Sequence, residues 1–170
     1  STAKARDVLS EYASDSKSFT KGKAIVATID GEDYTHWQGF VVNILKGLGY
    51  ITINLGNGAS AKDVVRSVKN EGPDILGITP PSTSLIPEFN AVSSISSKGK
   101  IKKVIDNLSD KGYRDDVTIL IGGNIPAIHS AADVGVDYCC ENMLKTVELL
   151  RELACSSNKF FPGAFTVNSV

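Results

Sequence analysis

Lys23-Ala-Ile-Val-Ala-Thr-Ile29 is a continuous, largely β-branched run with no regular polar alternation. A strand with that composition is buried on both faces, as in a parallel sheet covered by helices. Similar runs recur at Tyr50-Ile-Thr-Ile-Asn-Leu55, Asp74-Ile-Leu-Gly-Ile-Thr79, Val117-Thr-Ile-Leu-Ile121 and Val136 to Cys139. Helical spacing fills the intervals. Phe40, Val41, Ile44, Leu45 and Leu48 predict one helix, stopped by Gly49. Ser60-Ala-Lys-Asp63 is a capping box that opens a second, with Val64, Val65 and Val68 inward and an end near Gly72-Pro73. Pro80, Pro81 and Pro87 predict a loop after the third strand. Ala91 to Lys100 is Ser- and Gly-rich and carries no assignment, whereas Ile101 to Lys111 is a helix with Val104, Ile105 and Leu108 inward. A short helix over Ile128 to Val134 precedes the fifth strand. Asn142 to Ala154 forms the last helix, on Met143, Leu144, Val147, Leu150 and Leu153.

Strands alternating with helices through short loops imply right-handed crossovers. The expected fold is α/β: a Rossmann-like (flavodoxin-like), doubly wound, five-stranded parallel sheet with Lys23 to Ile29 central. Residues 1–22 read as a short amphipathic helix and link, 23–155 as the domain and 156–170 as a tail. In such sheets ligands bind outside the carboxyl ends of the strands. That rule selects Gly31 to Gly39, Thr79 to Leu85, Gly122 to Pro126 and Cys139 to Asn142.

The net charge of -1 gives no whole-molecule field toward nucleic acid or an anionic membrane. No apolar run approaches the roughly 20 residues that span a bilayer, and the N-terminal residues lack the apolar centre of a secretion signal. The three cysteines include adjacent Cys139 and Cys140 and no Cys-x-x-Cys, which reads as a reduced, cytoplasmic protein. With two histidines and scattered acids, no nucleophile–base pair stands at a recognisable spacing, so no catalytic residue is assigned.

The four selected segments resemble the cobalamin-binding domains of methionine synthase, corrinoid methyl carriers and carbon-skeleton mutases, over about Lys23 to Glu152. That family carries Gly-Asp-x-His-x-x-Gly after its first strand, Ser-x-Leu after the third and Gly-Gly after the fourth. The resemblance implies that the His ligates cobalt from below, that the Asp holds the His, and that the cofactor's nucleotide tail enters the crevice. Here the segments are Gly31-Glu-Asp-Tyr-Thr-His-Trp-Gln-Gly39, Leu48-Gly-Tyr-Ile-Thr-Ile-Asn-Leu-Gly56, Gly77-Ile-Thr-Pro-Pro-Ser-Thr-Ser-Leu85 and Ile121-Gly-Gly-Asn124. An ungapped pairing through Gly56 puts Glu32 in the Asp place, Tyr34 in the His place and Trp37 in the Gly place. Thr79 and Pro81 stand for Ser and Leu, and Cys139 falls where an aromatic often lines the tail pocket. A second pairing keeps His36 and Gly39 as His-x-x-Gly, with two extra residues in the loop and two fewer later. The matching strand and helix lengths favour the ungapped one. The frame is that of the family, and its ligand motif is degenerate.

Functional and structural readings stand side by side for these residues. His36 is a cobalt ligand reached by a loop shift, or a histidine at a helix start. Tyr34 is a poor ligand, with a phenol pKa near 10, and a better hydrogen-bond donor. Trp37 excludes the tail, stacks on it, or plugs the crevice as core. Thr79, Ser82 and Thr83 offer hydroxyls to a tail, or serve as turn chemistry. Gly122 and Gly123 permit a close backbone approach to a ligand, and Asn124 is placed beside them by the resemblance. Cys139 and Cys140 read better as buried, inert thiols than as redox or metal groups. The resemblance implies a corrinoid (cobalamin) cofactor, here bound without the lower His, in a non-catalytic carrier of a methyltransferase system. Methyl carriers place a helical bundle before this domain, and the 22 residues before Lys23 are too few for one. The small subunit of a cobalamin-dependent mutase, and a cofactor-free regulatory module that kept the fold, stay open. The implied partner is a methyltransferase or mutase catalytic subunit, with a homodimer open; neither nucleic acid nor membrane is expected.

Overall fold

The computed structural model describes residues 20–29, 36–79, 87–123 and 131–157, the side chains of 87–97 excepted. The expected N-terminal helix and C-terminal tail lie outside that set. Five strands form one parallel sheet: β1 (Gly22–Thr28), β2 (Tyr50–Asn54), β3 (Ile75–Thr79), β4 (Thr118–Gly122) and β5 (Tyr138–Cys140), in the order β2-β1-β3-β4-β5. The flavodoxin-like doubly wound sheet expected from the sequence is the one observed. β1 lies inside it, between β2 and β3, but the middle place belongs to β3.

Alternation along each buried strand divides the core in two. Ile25, Ala27, Ile29, Leu76, Ile78, Ile119 and Ile121 point to one face. There they meet α2 (Ala61–Glu71) and α3 (Pro87–Asp110). Ala24, Val26, Ile75, Leu120 and Cys140 point to the other. There they meet α1 (His36–Gly47) and α4 (Met143–Ser156). The strand order turns between β1 and β3, so the crevice expected of such sheets opens at their carboxyl ends.

α2 begins on the expected capping box: Ser60 Oγ accepts from Asp63 N, and Asp63 Oδ2 accepts from Ser60 N. Gly72 ends it at φ 55°, the left-handed cap that glycine adopts without strain. α1 starts at His36 rather than near Phe40. Its buried stripe is Trp37, Val41 and Leu45, spaced by four, and Phe40 is only half-buried. α3 takes in the Ser- and Gly-rich stretch that carries no assignment by sequence. Proline suits the first helical position, where Pro87 stands. Serine costs a helix only about 0.5 kcal/mol per residue, which tertiary context overrides. Of the short helix over Ile128 to Val134, the described part is a 3-10 turn at Ala131–Asp133. β5 begins two residues late, because Asp137 is used as a latch: its carboxylate accepts from Ile119 N at 2.7 Å and from Arg114 at 3.0 Å. On α4 the buried positions are Thr146, Leu150 and Ala154, and the sequence-assigned Met143 and Leu144 stand 44% and 70% exposed. No helix among the described residues is long and apolar enough to cross a membrane.

Candidate functional site

On the α1/α4 face, the last inward positions of the interior strands are Thr28 on β1, Gly77 and Thr79 on β3 and Gly122 on β4. Two of these are glycines on adjacent strands, so the sheet surface there has a gap where side chains would stand. Trp37 fills it. A Cβ on Gly77 would sit 3.5 Å from Trp37 Cη2, an ordinary contact. A Cβ on Gly122 would overlap Trp37 Cε2 and Nε1 outright. The indole is 5% exposed, and its Nε1 donates to Thr146 Oγ at 3.3 Å. Thr146, fully buried on α4, donates in turn to Asn142 O at 2.9 Å, and Asn142 caps that helix by accepting from Lys145 N.

Thr79 lies above the indole, at the carboxyl end of β3. It is 1% exposed, and its Oγ has no hydrogen-bond partner among the described residues. An orphaned buried hydroxyl costs about 1–3 kcal/mol, so it is a feature to be explained. A Cβ on Gly123 would come within 3.1 Å of Thr79 Cγ2, and Gly123 has φ 98°. That conformation, and that proximity, suit glycine.

Gln38 anchors α1 from the other side. Its Oε1 accepts from Thr28 Oγ at 2.8 Å; its Nε2 donates to Asn54 Oδ1 at 2.6 Å and to Gly56 O at 3.0 Å. His36, one helical position before Trp37, is exposed. Tyr34, Pro81, Ser82, Thr83 and Asn124 lie outside the described residues. Thus Trp37, Thr79, Gly122 and Gly123 come together, and His36 stands exposed at the start of α1. Cys139 packs with the α2/α3 core, and Cys140 packs with Trp37. Sequence reasoning passed over Gln38, Gly77 and Thr146. The available signal was the pair of glycines at inward positions of buried strands.

Burial pushes both neighbouring thiols up. For Cys139 the charges of Cys140, Asp133 and Glu141 add to burial; for Cys140 a hydrogen bond with Thr146 works against it by less. A raised pKa leaves less nucleophilic thiolate at neutral pH. Maleimide at pH 7 is therefore expected to modify exposed Cys155 first, and Cys139 and Cys140 more slowly, read by mass spectrometry of digests. Faster modification of Cys140 than of Cys155 would contradict the burial. No group of three or more potential metal-ligating His, Cys, Asp or Glu occurs among the described residues.

Residues 22–150 match the family model described as B12 binding domain. The chain belongs to that family. This B12-binding domain is 27% identical over 149 residues to the dimethylamine corrinoid protein of Methanosarcina barkeri, covering 87% of the chain and 62% of that relative. A cobalamin-binding protein from Desulfitobacterium hafniense superposes with a TM-score of 0.62 at 21% identity, over 77% of this chain and 58% of that one. The methanol:cobalamin methyltransferase complex from Methanosarcina barkeri gives 0.63 at 18% identity, over 83% of this chain and 49% of its own. At these identities the solved structures establish the shared fold.

The fit of the B12-binding domain to a corrinoid divides by depth. The strand ends suit it in chemistry, with the buried Thr79 hydroxyl, which has no partner among the described residues, beside the glycine backbone of Gly123. The deep slot does not fit a nucleotide tail, because Trp37 fills it against Gly122.

Proposed function

We propose that this B12-binding domain is the corrinoid-holding component of a methyltransferase system and that it docks to a separate catalytic subunit. The observation that carries the reading is the orphaned Thr79 hydroxyl, nearly inaccessible and set at the carboxyl end of β3 beside the switch-point crevice. A bound ligand with amide or phosphate groups supplies the missing partner. The similarity to a dimethylamine corrinoid protein supports a corrinoid as that ligand. When bound, the corrinoid supplies a cobalt that accepts and releases a methyl group; the protein supplies position.

No protein imidazole sits on cobalt in this reading. His36 is exposed at the start of α1, about 100° round the helix from the inward Trp37. The ungapped pairing puts Tyr34 and Glu32 in the ligand and orienting places, which removes both parts of that device. The test is loading with hydroxocobalamin, desalting and reduction to the cob(II)alamin state. The expected sample keeps a red chromophore, and its paramagnetic spectrum shows no protein nitrogen. A nitrogen pattern abolished by His36→Ala would refute the absence of the ligand.

Thr79→Val separates a ligand contact from a packing role. Deleting an unpartnered buried hydroxyl leaves the apo domain as stable as before, or stabilises it by about 1 kcal/mol. The same change is expected to weaken corrinoid retention about five- to tenfold, the loss of one hydrogen bond. Lower apo stability with unchanged retention would remove Thr79 from the site. The filled slot also favours a second reading, a cofactor-free interaction module. Loss of all colour on desalting would select it.

A further inference from the structure

We propose that Trp37 is a built-in surrogate for the base of the nucleotide tail, sealing a ring-sized slot so that the domain selects corrinoids by the macrocycle alone. The inference rests on the corrinoid reading for its ligand, but the seal itself stands on geometry. Gly77 and Gly122 leave a gap on two adjacent buried strands, and the chain's single tryptophan occupies it. Indole and the dimethylbenzimidazole that ends the tail of cobalamin share a fused six- and five-membered ring core of nearly equal size. A slot shaped to one therefore admits the other only if the first leaves.

The indole is held on three sides. Gly122 backs it with no room for a Cβ, Gly77 flanks it, and Thr146 takes its N–H from the opposite layer. Val41 and Leu45 continue the same helical stripe into the core, so the ring does not swing out without disturbing α1. The macrocycle is placed over the carboxyl ends of β3 and β4, where Gly123 is half-buried and Thr79, itself buried, adjoins it.

The experiment compares cobinamide, which lacks the nucleotide, with hydroxocobalamin by equilibrium dialysis, and follows the emission of Trp37. The wild-type domain is expected to bind the two within about threefold of each other, with the emission maximum unmoved. Cobalamin binding about tenfold tighter than cobinamide, with a red-shifted emission, would show the tail displacing the indole and overturn the seal. In Trp37→Gly the order is expected to change to a preference for cobalamin of about tenfold. Free benzimidazole is expected to raise the melting temperature of Trp37→Gly and leave that of wild type unchanged. No effect of benzimidazole on the folded variant overturns the proposal. If Trp37→Gly does not fold, Trp37→Val, which keeps part of the packing, takes its place in both measurements. If wild type binds neither corrinoid, the corrinoid reading falls, and the benzimidazole arm still decides whether Trp37 seals the slot.

Discussion

Gly122→Ala is expected to destabilise the domain by about 3 kcal/mol or more, a fall of roughly 10 °C in melting temperature for a chain of this size. One methyl group rarely does so much. Gly122 is not among the positive-φ glycines, so alanine meets no backbone strain there. The cost is steric: the new Cβ overlaps the Trp37 indole, a rigid ring held between β4 and Thr146. The indole cannot yield by turning one torsion, as a lysine end would, and must leave its hydrogen bond or push α1 off the sheet. Trp37→Val, which opens a cavity, is expected to cost about 3–5 kcal/mol alone. The two changes should not add. In the Trp37→Val background the methyl of Gly122→Ala enters space already vacated, and its cost is expected to fall below about 1 kcal/mol. A double-mutant cycle from chemical denaturation measures that coupling. Additive costs would place the indole elsewhere than against Gly122.

The strands were legible because burial on both faces leaves a local trace. Ile25 to Ile29 and Ile119 to Ile121 alternate between two apolar environments, so they carry no charged residue, and Thr28 alone is polar. The capping box was legible for the same reason: Ser60 and Asp63 satisfy each other within one turn. The first half of α3 was not, because Ser93, Ser94, Ser96, Ser97 and Gly99 lower the local signal that the helix overrides. The site divides likewise. Thr79, Gly122 and Gly123 followed from the rule about strand ends, and the fold brings them together around Trp37. What Trp37 does there was undecidable from its neighbours in sequence. Its hydrogen-bond partner Thr146 is 109 positions away, and its packing surface is two residues that have no side chain. Met143 and Leu144 misled in the opposite direction. Their helical spacing is apolar, but the buried stripe of α4 runs through Thr146, Leu150 and Ala154 and leaves them exposed.

Gln38→Glu is expected to cost about 3–5 kcal/mol at pH 8, as for one uncompensated buried charge, and much less at pH 4. Gln38 is 1% exposed and gives and takes hydrogen bonds at once. Thr28 Oγ donates to its Oε1, while its Nε2 donates to Asn54 Oδ1 and Gly56 O. The orientation of Asn54 is fixed by Gly56 N, which donates to the same Oδ1 at 2.9 Å. A carboxylate in place of the amide still accepts from Thr28 but faces two oxygens with nothing to donate. When protonated, its hydroxyl restores one of those bonds. Burial and the facing acceptors therefore raise the folded pKa of the introduced carboxyl above its unfolded value near 4.3. The neutral form then contributes stability that is fully present below that unfolded value and is lost as pH rises through the folded one. Gln38→Leu, which has no titrating group, is expected to lose stability by a similar amount at every pH. Denaturation of both variants and wild type across pH 4 to 8 checks this, and a pH-independent deficit for Gln38→Glu would refute it. Gln38 adjoins Trp37 on the first turn of α1, so the same titration reaches the crevice. As the carboxylate forms, α1 loosens from Asn54 and Gly56, and the single indole loses the backing that keeps it over Gly122. A red shift of the Trp37 emission in Gln38→Glu, developing over the same pH range as the loss of stability, is the expected sign that the polar staple holds the seal in place.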